Sequence, residues 1–207
     1  MAQTPDGSGT APVRITNSST SVTSGVGVTQ KLVGAAIAFG NVLRGTFGPN
    51  GLDKMRYKTN GDAAVTNDGA KIVAELLVKH PAAKAFVSLA ESQENACGDG
   101  VTGCILMASE LMSEAGRLLE RGLHPLILVK GYQMALSKTI EEIESRSKPV
   151  GRNLETVART SLVGRSTEGA LEHLSKLISQ AVEMIPDSDF ERVRMAKAGE
   201  GTPATSK

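Results

Sequence analysis

The sequence predicts a mainly α-helical protein with one small β-hairpin. Apolar residues recur every three or four positions along most of the chain, which is typical of helices with one buried face. Aromatic residues make up only 3% of the chain, so Ala, Leu, Val and Ile must form the core, and these suit closely packed helices. Between two short strand-like segments, Lys54–Lys58 and Ala63–Thr66, lies Asn60-Gly61, a dipeptide that favours a tight hairpin turn.

Composition limits the classes of function. The 207 residues suffice for one good core or two small ones. The net charge of +1 gives no electrostatic case for nucleic acid or an anionic membrane as partner. Cys97 and Cys104 lack the paired spacing of a zinc site and are expected as small apolar residues in a reducing compartment. Without a run of eighteen apolar residues or an apolar leader, neither a transmembrane helix nor a secretion signal is expected, and the cytoplasm is the expected location.

The first elements follow from local patterns. Residues 1–24 are rich in Ser, Thr and Gly and are expected to form a flexible arm, with a short strand at Pro12–Ile15. A helix is predicted from Val28 to Arg44, ending at Gly45, with one apolar face formed by Leu32, Ala36, Phe39 and Leu43.

Two alternatives are open where the hairpin ends. In the hairpin, Met55, Tyr57 and Val65 are expected to face the core. The next helix is predicted at Ala70–Val78, after the segment Thr66-Asn67-Asp68-Gly69. In one interpretation Asn67 or Asp68 only caps this helix. In the other, a carboxylate at the end of the strand is placed to orient a water molecule or a metal ion.

The remaining helices are marked by prolines and glycines. Pro81 opens one helix, and Pro125 opens another that runs to about Ser145. His80 and His124 precede these prolines, and a structural role is expected for both. Beyond a break at Ser145–Gly151, two amphipathic helices, a strand and a polar tail are predicted at Asn153–Leu162, Glu168–Ile185, Phe190–Lys197 and Ala198–Lys207.

The segment Gly98-Asp99-Gly100-Val101-Thr102-Gly103 has the clearest chemical pattern. It precedes a helix predicted from Val101 to Arg121, and a glycine-rich turn before a helix N-terminus favours anions. A carboxylate beside a phosphate is explained by a Mg²⁺ ion between them, although Asp99 serves equally well as a helix cap. The spacing also matches G-x-G-x-x-G, but a dinucleotide site needs a buried strand before the loop, and a polar helix end stands there.

A second glycine-rich turn, Thr46-Phe47-Gly48-Pro49-Asn50-Gly51, follows the first helix. Two glycines around a proline indicate a rigid turn with accessible backbone amides. It is either an ordinary connection or a second wall of a nucleotide site.

Six blocks of this sequence, taken in order, resemble the first part of a group II chaperonin subunit. They are Thr46–Met55, Thr66–Ala70, His80–Lys84, Gly98–Thr102, His124-Pro125 with Gly131-Tyr132, and Thr160–Arg165. The resemblance implies the N-terminal half of a helical equatorial domain at 25–147 and the first half of an intermediate domain at 148–200, between the flexible arm and a disordered tail at 201–207. It further implies ATP-driven folding of unfolded client proteins, with Mg²⁺, in a ring built with other subunits.

The resemblance also implies the roles of individual residues. Asp68 corresponds to a catalytic acid near the γ-phosphate, Asp99 to the Mg²⁺ ligand, and Arg165 to a lysine that senses the γ-phosphate. Nucleotide contacts are implied for Gly48, Pro49, Gly69, Gly100, Val101, Thr102, Gly103 and Ser161.

Several positions depart from the family pattern. Val101 and Gly103 stand where threonines are common, so Val101→Thr is expected to strengthen nucleotide binding. Asn50 stands at a usual lysine, and Arg165 is bulkier than the lysine it replaces. Subunits of the family are more than twice as long. The alternative function is therefore a catalytically incomplete paralogue that acts as an assembly or regulatory partner.

Overall fold

A computed structural model describes residues 24–57, 61, 63–76, 78, 80–164, 168–185, 189, 192–194, 196 and 201–202. Within these ranges it contains α1 (Val26–Arg44), β1 (Lys54–Tyr57), β2 (Ala63–Thr66), α2 (Gly69–Ala74), α3 (Pro81–Cys97), α4 (Val101–Glu120), α5 (Pro125–Arg146), α6 (Leu154–Leu162) and α7 (Leu171–Glu183), with short 3-10 turns at Gly151–Asn153 and Glu168–Ala170. The predicted mainly α-helical class with one hairpin is confirmed. The expected strand at Pro12–Ile15 lies outside the described residues. Half of the strand expected at Phe190–Lys197 also lies outside them, and the four residues described there, 192–194 and 196, are not in a strand.

The core lies where α1 packs against α4, with α3 and α2 on one side. Phe39 of α1 and Phe86 of α3 place their ring centroids 5.4 Å apart, and Leu43 and Ile105 are completely buried. The α1 and α4 backbones approach closely at Gly40, where an added Cβ would lie 2.7 Å from Ser109 Cβ and closer still to Ser109 Oγ. Only a residue without a side chain fits Gly40 at this separation.

Helix α1 is the one described helix that is long and apolar enough, by length and composition, to cross a membrane. Its Ala36, Phe39, Gly40 and Leu43 are buried in the core. A core helix of a soluble protein passes the same test.

Both histidine–proline pairs begin helices. His80 Nδ1 accepts a hydrogen bond from Ala82 N, and His124 Nδ1 accepts one from Leu126 N, each at 3.2 Å. Each histidine satisfies one of the amide groups that a helix N-terminus leaves without an intrahelical partner. Both therefore act as N-caps, as a structural role requires.

The face of the hairpin that was predicted to point toward the core is instead exposed. Strands β1 and β2 pair antiparallel, with Met55 opposite Val65, but Met55, Tyr57 and Val65 are 73%, 76% and 58% exposed. Arg56 lies on the inner face, where its Nε is 2.7 Å from Glu75 Oε2 and its Nη1 donates to Glu75 O at 3.2 Å. Glu75 is the first residue after α2, so Arg56 contacts the chain where this helix ends. The helix ends at Ala74 and not at the predicted Val78.

Helix α5 is largely uncovered. Leu128 is its one buried residue, and Tyr132 Oη donates to Leu111 O of α4 at 2.6 Å. From Gln133 onward every residue of α5 is exposed. Helices α6 and α7 pack mainly against each other, and Ser175 is fully buried in α7.

Candidate functional site

Four segments that are distant in sequence meet around one cleft of about 460 Å³. They are the turn after α1, the link between β2 and α2, the loop between α3 and α4, and the end of α6. The residues that line the cleft are Thr46, Phe47, Gly48, Pro49, Asn67, Asp68, Gly69, Asp99, Thr160, Ser161, Val163 and Gly164. Six residues to which the sequence analysis assigned nucleotide, metal or catalytic roles therefore share one cleft: Gly48, Pro49, Asp68, Gly69, Asp99 and Ser161.

Local hydrogen bonds hold the turn after α1 in shape. Thr46 is buried, and its Oγ1 donates to Leu43 O at 2.8 Å. Leu52 N donates to Gly45 O at 2.9 Å, and Gly51 N donates to Gly48 O at 3.0 Å. These bonds keep Gly48 and Pro49 at the rim of the cleft and leave the turn few alternative conformations.

Asp68 is the N-cap of α2, so the capping alternative holds for this residue. Its Oδ1 accepts a hydrogen bond from Lys71 N at 3.2 Å, and its own N donates to Thr66 Oγ1 at 3.1 Å. Capping fixes the carboxyl group at the end of the strand, where it also lines the cleft. The capping role and a role in the site are therefore compatible.

The N-terminus of α2 lies directly against that of α4. An added Cβ at Gly69 would lie 3.0 Å from Thr102 N, and nearer still to Thr102 Oγ1. Gly69 is buried as a result. Thr102 thus touches a residue of the cleft wall, although it does not line the cleft itself.

Asp99 lies in a loop of unusual backbone conformation. Gly98 and Gly100 on either side have φ values of 65° and 81°, which glycine adopts without the cost that a side chain would add. Gln93 Nε2 donates to Asp99 O at 2.9 Å. The N-cap of α4 is Gly100, so Asp99 does not cap this helix, and its exposed side chain lines the cleft.

The end of α6 closes the cleft. Asn67 Nδ2 donates to Gly164 O at 3.0 Å, and an added Cβ at Gly164 would lie 3.7 Å from Pro49 O. This contact brings Thr160 and Ser161 to the cleft. Arg165, the expected γ-phosphate sensor, lies outside the described residues.

Four of the expected contact residues, Gly100, Val101, Thr102 and Gly103, do not line the cleft. The Val101 side chain is 4% exposed and belongs to the hydrophobic core, so only its backbone could meet a ligand. Gly103 lies beside the Phe47 ring, whose Cε2 would be 3.4 Å from a Cβ added at Gly103. The expectation that Val101→Thr would present a hydroxyl to phosphate is corrected here, because that hydroxyl would lie in the core.

The donor set fits a Mg²⁺–nucleotide complex. Among the described residues no group of three or more His, Cys, Asp or Glu side chains could hold a metal ion alone. Mg²⁺ commonly takes one or two carboxylates and fills its remaining positions with phosphate oxygens and water. Asp99 and Asp68 supply two such groups, and Asp99 lies just before the N-terminus of α4, where a helix favours anions.

A dinucleotide site is excluded by the element before the loop. Helix α3 runs to Cys97, so a helix and not a strand precedes Gly98.

Behind the loop, burial and the neighbouring Cys97 raise the pKa of the Cys104 thiol.

The resemblance implied a contribution of α6 through Ser161, but the sequence did not indicate how α6 is held against the site. Asn67 is the residue that binds the α6 C-terminus, through Gly164 O. A side-chain amide next to Asp68 was the available signal, but no local pattern indicates a partner almost a hundred residues away.

Comparisons with known proteins identify the family of this chain. The model of the TCP-1/cpn60 chaperonin family matches residues 39–207. Thermosome subunit alpha of Archaeoglobus fulgidus is 34% identical, over 95% of this chain and 38% of its own length. Thermosome subunits of Methanocaldococcus jannaschii and Methanothermococcus thermolithotrophicus are 39% and 40% identical, over 78% and 72% of this chain and 30% and 28% of their own lengths.

The chain thus spans between 28% and 38% of the length of these relatives. The matched segment includes all four walls of the cleft. This protein therefore belongs to the TCP-1/cpn60 chaperonin family and corresponds to the N-terminal portion of a group II chaperonin subunit.

Proposed function

We propose that this chain binds MgATP in the cleft between α1, α2, α4 and α6, as part of a chaperonin subunit that assists the folding of other proteins. The observation that carries the proposal is the convergence of Asp68, Asp99 and the Gly48-Pro49 turn on one cleft beside the N-terminus of α4. Each of these features alone is common, whereas their meeting at one place is the arrangement that a metal–phosphate complex needs.

Each residue has a distinct role in this proposal. Asp99 would hold Mg²⁺, which when bound neutralises charge on the phosphates. Backbone amides at the start of α4, with Thr102, bind the phosphate oxygens. Asp68, held in place by its cap to Lys71 N, accepts a hydrogen bond from the water that attacks the terminal phosphorus.

The assembly and its partners follow from family membership and are equally proposals. The chain would work beside other subunits in a ring, act on unfolded client proteins and reside in the cytoplasm. The division into equatorial and intermediate parts near residue 147 agrees with the non-helical stretch between Arg146 and Gly151.

A second candidate is a regulatory or assembly partner that does not hydrolyse ATP. It is favoured by Gly103, which offers no hydroxyl group where the family commonly has a threonine. The two candidates differ in turnover, because both allow nucleotide binding but only the first allows hydrolysis.

Calorimetry on Asp99→Asn tests the binding proposal. Asp99 is not the helix cap, so the fold should persist, while affinity for MgATP should fall by roughly tenfold or more through loss of a charged ligand. Affinity for ATP in EDTA should change little. Asp53→Asn is the matched control, since Asp53 is an exposed loop carboxylate that does not line the cleft. Equal MgATP affinity in the unmodified chain and Asp99→Asn would contradict the proposed metal site.

Steady-state phosphate release separates the two functions. Asparagine caps helices as well as aspartate, so Asp68→Asn should keep the fold and MgATP binding but abolish turnover. Binding without any turnover in the unmodified chain would favour the regulatory candidate.

A further inference from the structure

The two cysteines of this chain stand on either side of the loop that holds Asp99. Cys97 is the last residue of α3, and Cys104 lies in the first turns of α4. Only residues 98–100 separate the two helices. A bond between the two thiols would therefore enclose residues 98–103, which include Asp99 and Thr102.

This loop folds back over the last turns of α3. Gln93, about one turn before Cys97, donates from its Nε2 to Asp99 O at 2.9 Å. The same nitrogen would lie 3.3 Å from a Cβ added at Gly100, and Cys104 N donates to Gly100 O at 3.0 Å. Short contacts thus lead from the end of α3 that carries Cys97 to the first turns of α4 that carry Cys104.

Both cysteines also lie on the core sides of their helices. Cys97 stands about two turns after Ala90 and about three turns after Phe86, and both of these residues are buried. Cys104 stands about one turn before Ala108, which packs against the same core cluster. Burial and, as the second cause, Cys97 raise the pKa of the Cys104 thiol, so the two sulfur atoms lie within electrostatic range of each other.

We propose that Cys97 and Cys104 form a redox-sensitive dithiol, which a peroxide oxidises to an intramolecular disulfide around residues 98–103. The reaction begins at Cys97, because this residue is exposed whereas Cys104 is partly buried. The Cys97 sulfur attacks one oxygen of hydrogen peroxide and becomes a sulfenic acid, and the other oxygen leaves as water. The Cys104 sulfur then attacks the Cys97 sulfur and displaces the remaining oxygen as a second water. The two thiols lose two electrons and two protons in total, and the peroxide takes up both.

A reversible bond of this kind is compatible with a reducing compartment, where disulfides are rare and those that form are usually transient and redox-sensing. Partly buried Cys104 fits the expected role of a small apolar residue, whereas exposed Cys97 does not. Among the described residues no group of three or more His, Cys, Asp or Glu includes the pair, so a metal site does not account for them.

Formation of the disulfide would change the loop. A disulfide holds its two Cα atoms about 4.4–6.8 Å apart. Gly98 and Gly100, with φ values of 65° and 81°, are the positions where the backbone can adjust to that distance. Asp99 between them lines the cleft, so the oxidised chain should bind MgATP roughly tenfold or more weakly. This consequence, unlike the disulfide itself, rests on the proposed function.

Mass spectrometry of the full 207-residue chain after treatment with hydrogen peroxide tests the bond. Both cysteines fall in one tryptic peptide, residues 85–117, and without reductant this peptide should lose about 2 Da, the mass of two hydrogens. Dithiothreitol should reverse the loss. In Cys104→Ser the loss should be absent and dimedone should label the sulfenic acid on Cys97. A peptide that keeps both thiols, a Cys97 that passes to sulfinic acid without the disulfide, or linkage between chains in dilute solution would each overturn the proposal.

Calorimetry with MgATP on the reduced and oxidised chains tests the consequence for the loop. Peroxide-treated Cys104→Ser is the matched control, since it undergoes the same treatment without forming the bond, and its affinity should equal that of the reduced chain. Equal affinity in the reduced and disulfide-bonded chains would refute the effect on the cleft. No binding by the reduced chain would instead contradict the proposed function, and the disulfide would still be decided by the mass of the peptide.

Discussion

Replacing Gly40 by alanine should destabilise the protein, although alanine is the better helix former. Gly40 lies inside α1 at its closest approach to α4 and is buried. An alanine Cβ there would stand 2.7 Å from Ser109 Cβ. Because non-bonded carbons prefer about 3.5–4.0 Å, the two helices must separate by about 1 Å.

Two opposing terms decide the sign. Alanine in place of glycine in a helix interior contributes about 1 kcal/mol of stability. Overpacking of a core costs about 1–3 kcal/mol. The free energy of unfolding should therefore fall by up to about 2 kcal/mol. In a Ser109→Gly background the obstacle is gone, so Gly40→Ala should there raise stability by about 1 kcal/mol.

The assay is urea unfolding followed by far-UV circular dichroism, at one fixed protein concentration because self-association would add to apparent stability. The double-mutant cycle should give a coupling energy of about 1–3 kcal/mol between Gly40 and Ser109. Gly34→Ala is the control for helix propensity alone, since nothing lies within 4 Å of an added Cβ there, and it should be stabilising. A stabilising Gly40→Ala with no coupling to Ser109 would refute the close approach of α1 and α4.

Three further predictions concern the region around the cleft. Val101→Thr should lower the free energy of unfolding by about 1–3 kcal/mol without strengthening MgATP binding, since its hydroxyl would be buried in the core. Urea unfolding measures the first effect and calorimetry the second, and tighter MgATP binding would contradict the orientation of Val101. Gly69→Ala should weaken MgATP binding and cost about 1–3 kcal/mol, because its Cβ would push against Thr102 N at 3.0 Å; unchanged values in both assays would mean that α2 and α4 do not touch there. Burial and the neighbouring Cys97 raise the pKa of Cys104, so alkylation of this thiol should accelerate only at a pH above the usual thiol range. The stability linked to the protonated thiol should be lost as pH rises through that raised pKa. Mass spectrometry of iodoacetamide-treated protein against pH measures this rate, and an onset at the usual thiol pKa would contradict it.

The sequence by itself determined the elements of this protein. Apolar periodicity located the helices, and the boundaries of α4 and α5 agree with prediction to within one residue. Proline after His80 and His124 marked two helix starts, and Gly45 marked a helix end. These features depend on residues within a turn or two of each other, so they can be read without knowing the rest of the fold.

The sequence also supplied the candidate residues Asp68, Asp99 and Gly48, through a hairpin end, a glycine-rich loop and a rigid turn. It identified most of the buried face of α1 but not which face of the hairpin is buried. Alternation in the hairpin defines two faces, yet the ion pair of Arg56 with Glu75 places the polar face inward. Likewise, Asp99 and Val101 are only two residues apart, yet Val101 is buried in the core and Asp99 lines the cleft.

Only the tertiary structure brought the four walls of the cleft together. Asn67 meets Gly164, and Gly69 meets Thr102, across long stretches of intervening chain. Such contacts depend on how α1, α4 and α6 pack against one another, and packing is decided by the shape and burial of whole surfaces. Local periodicity predicts the helices and strands that carry the site residues. The geometry of the site forms only when surfaces that are distant in sequence pack together and exclude water.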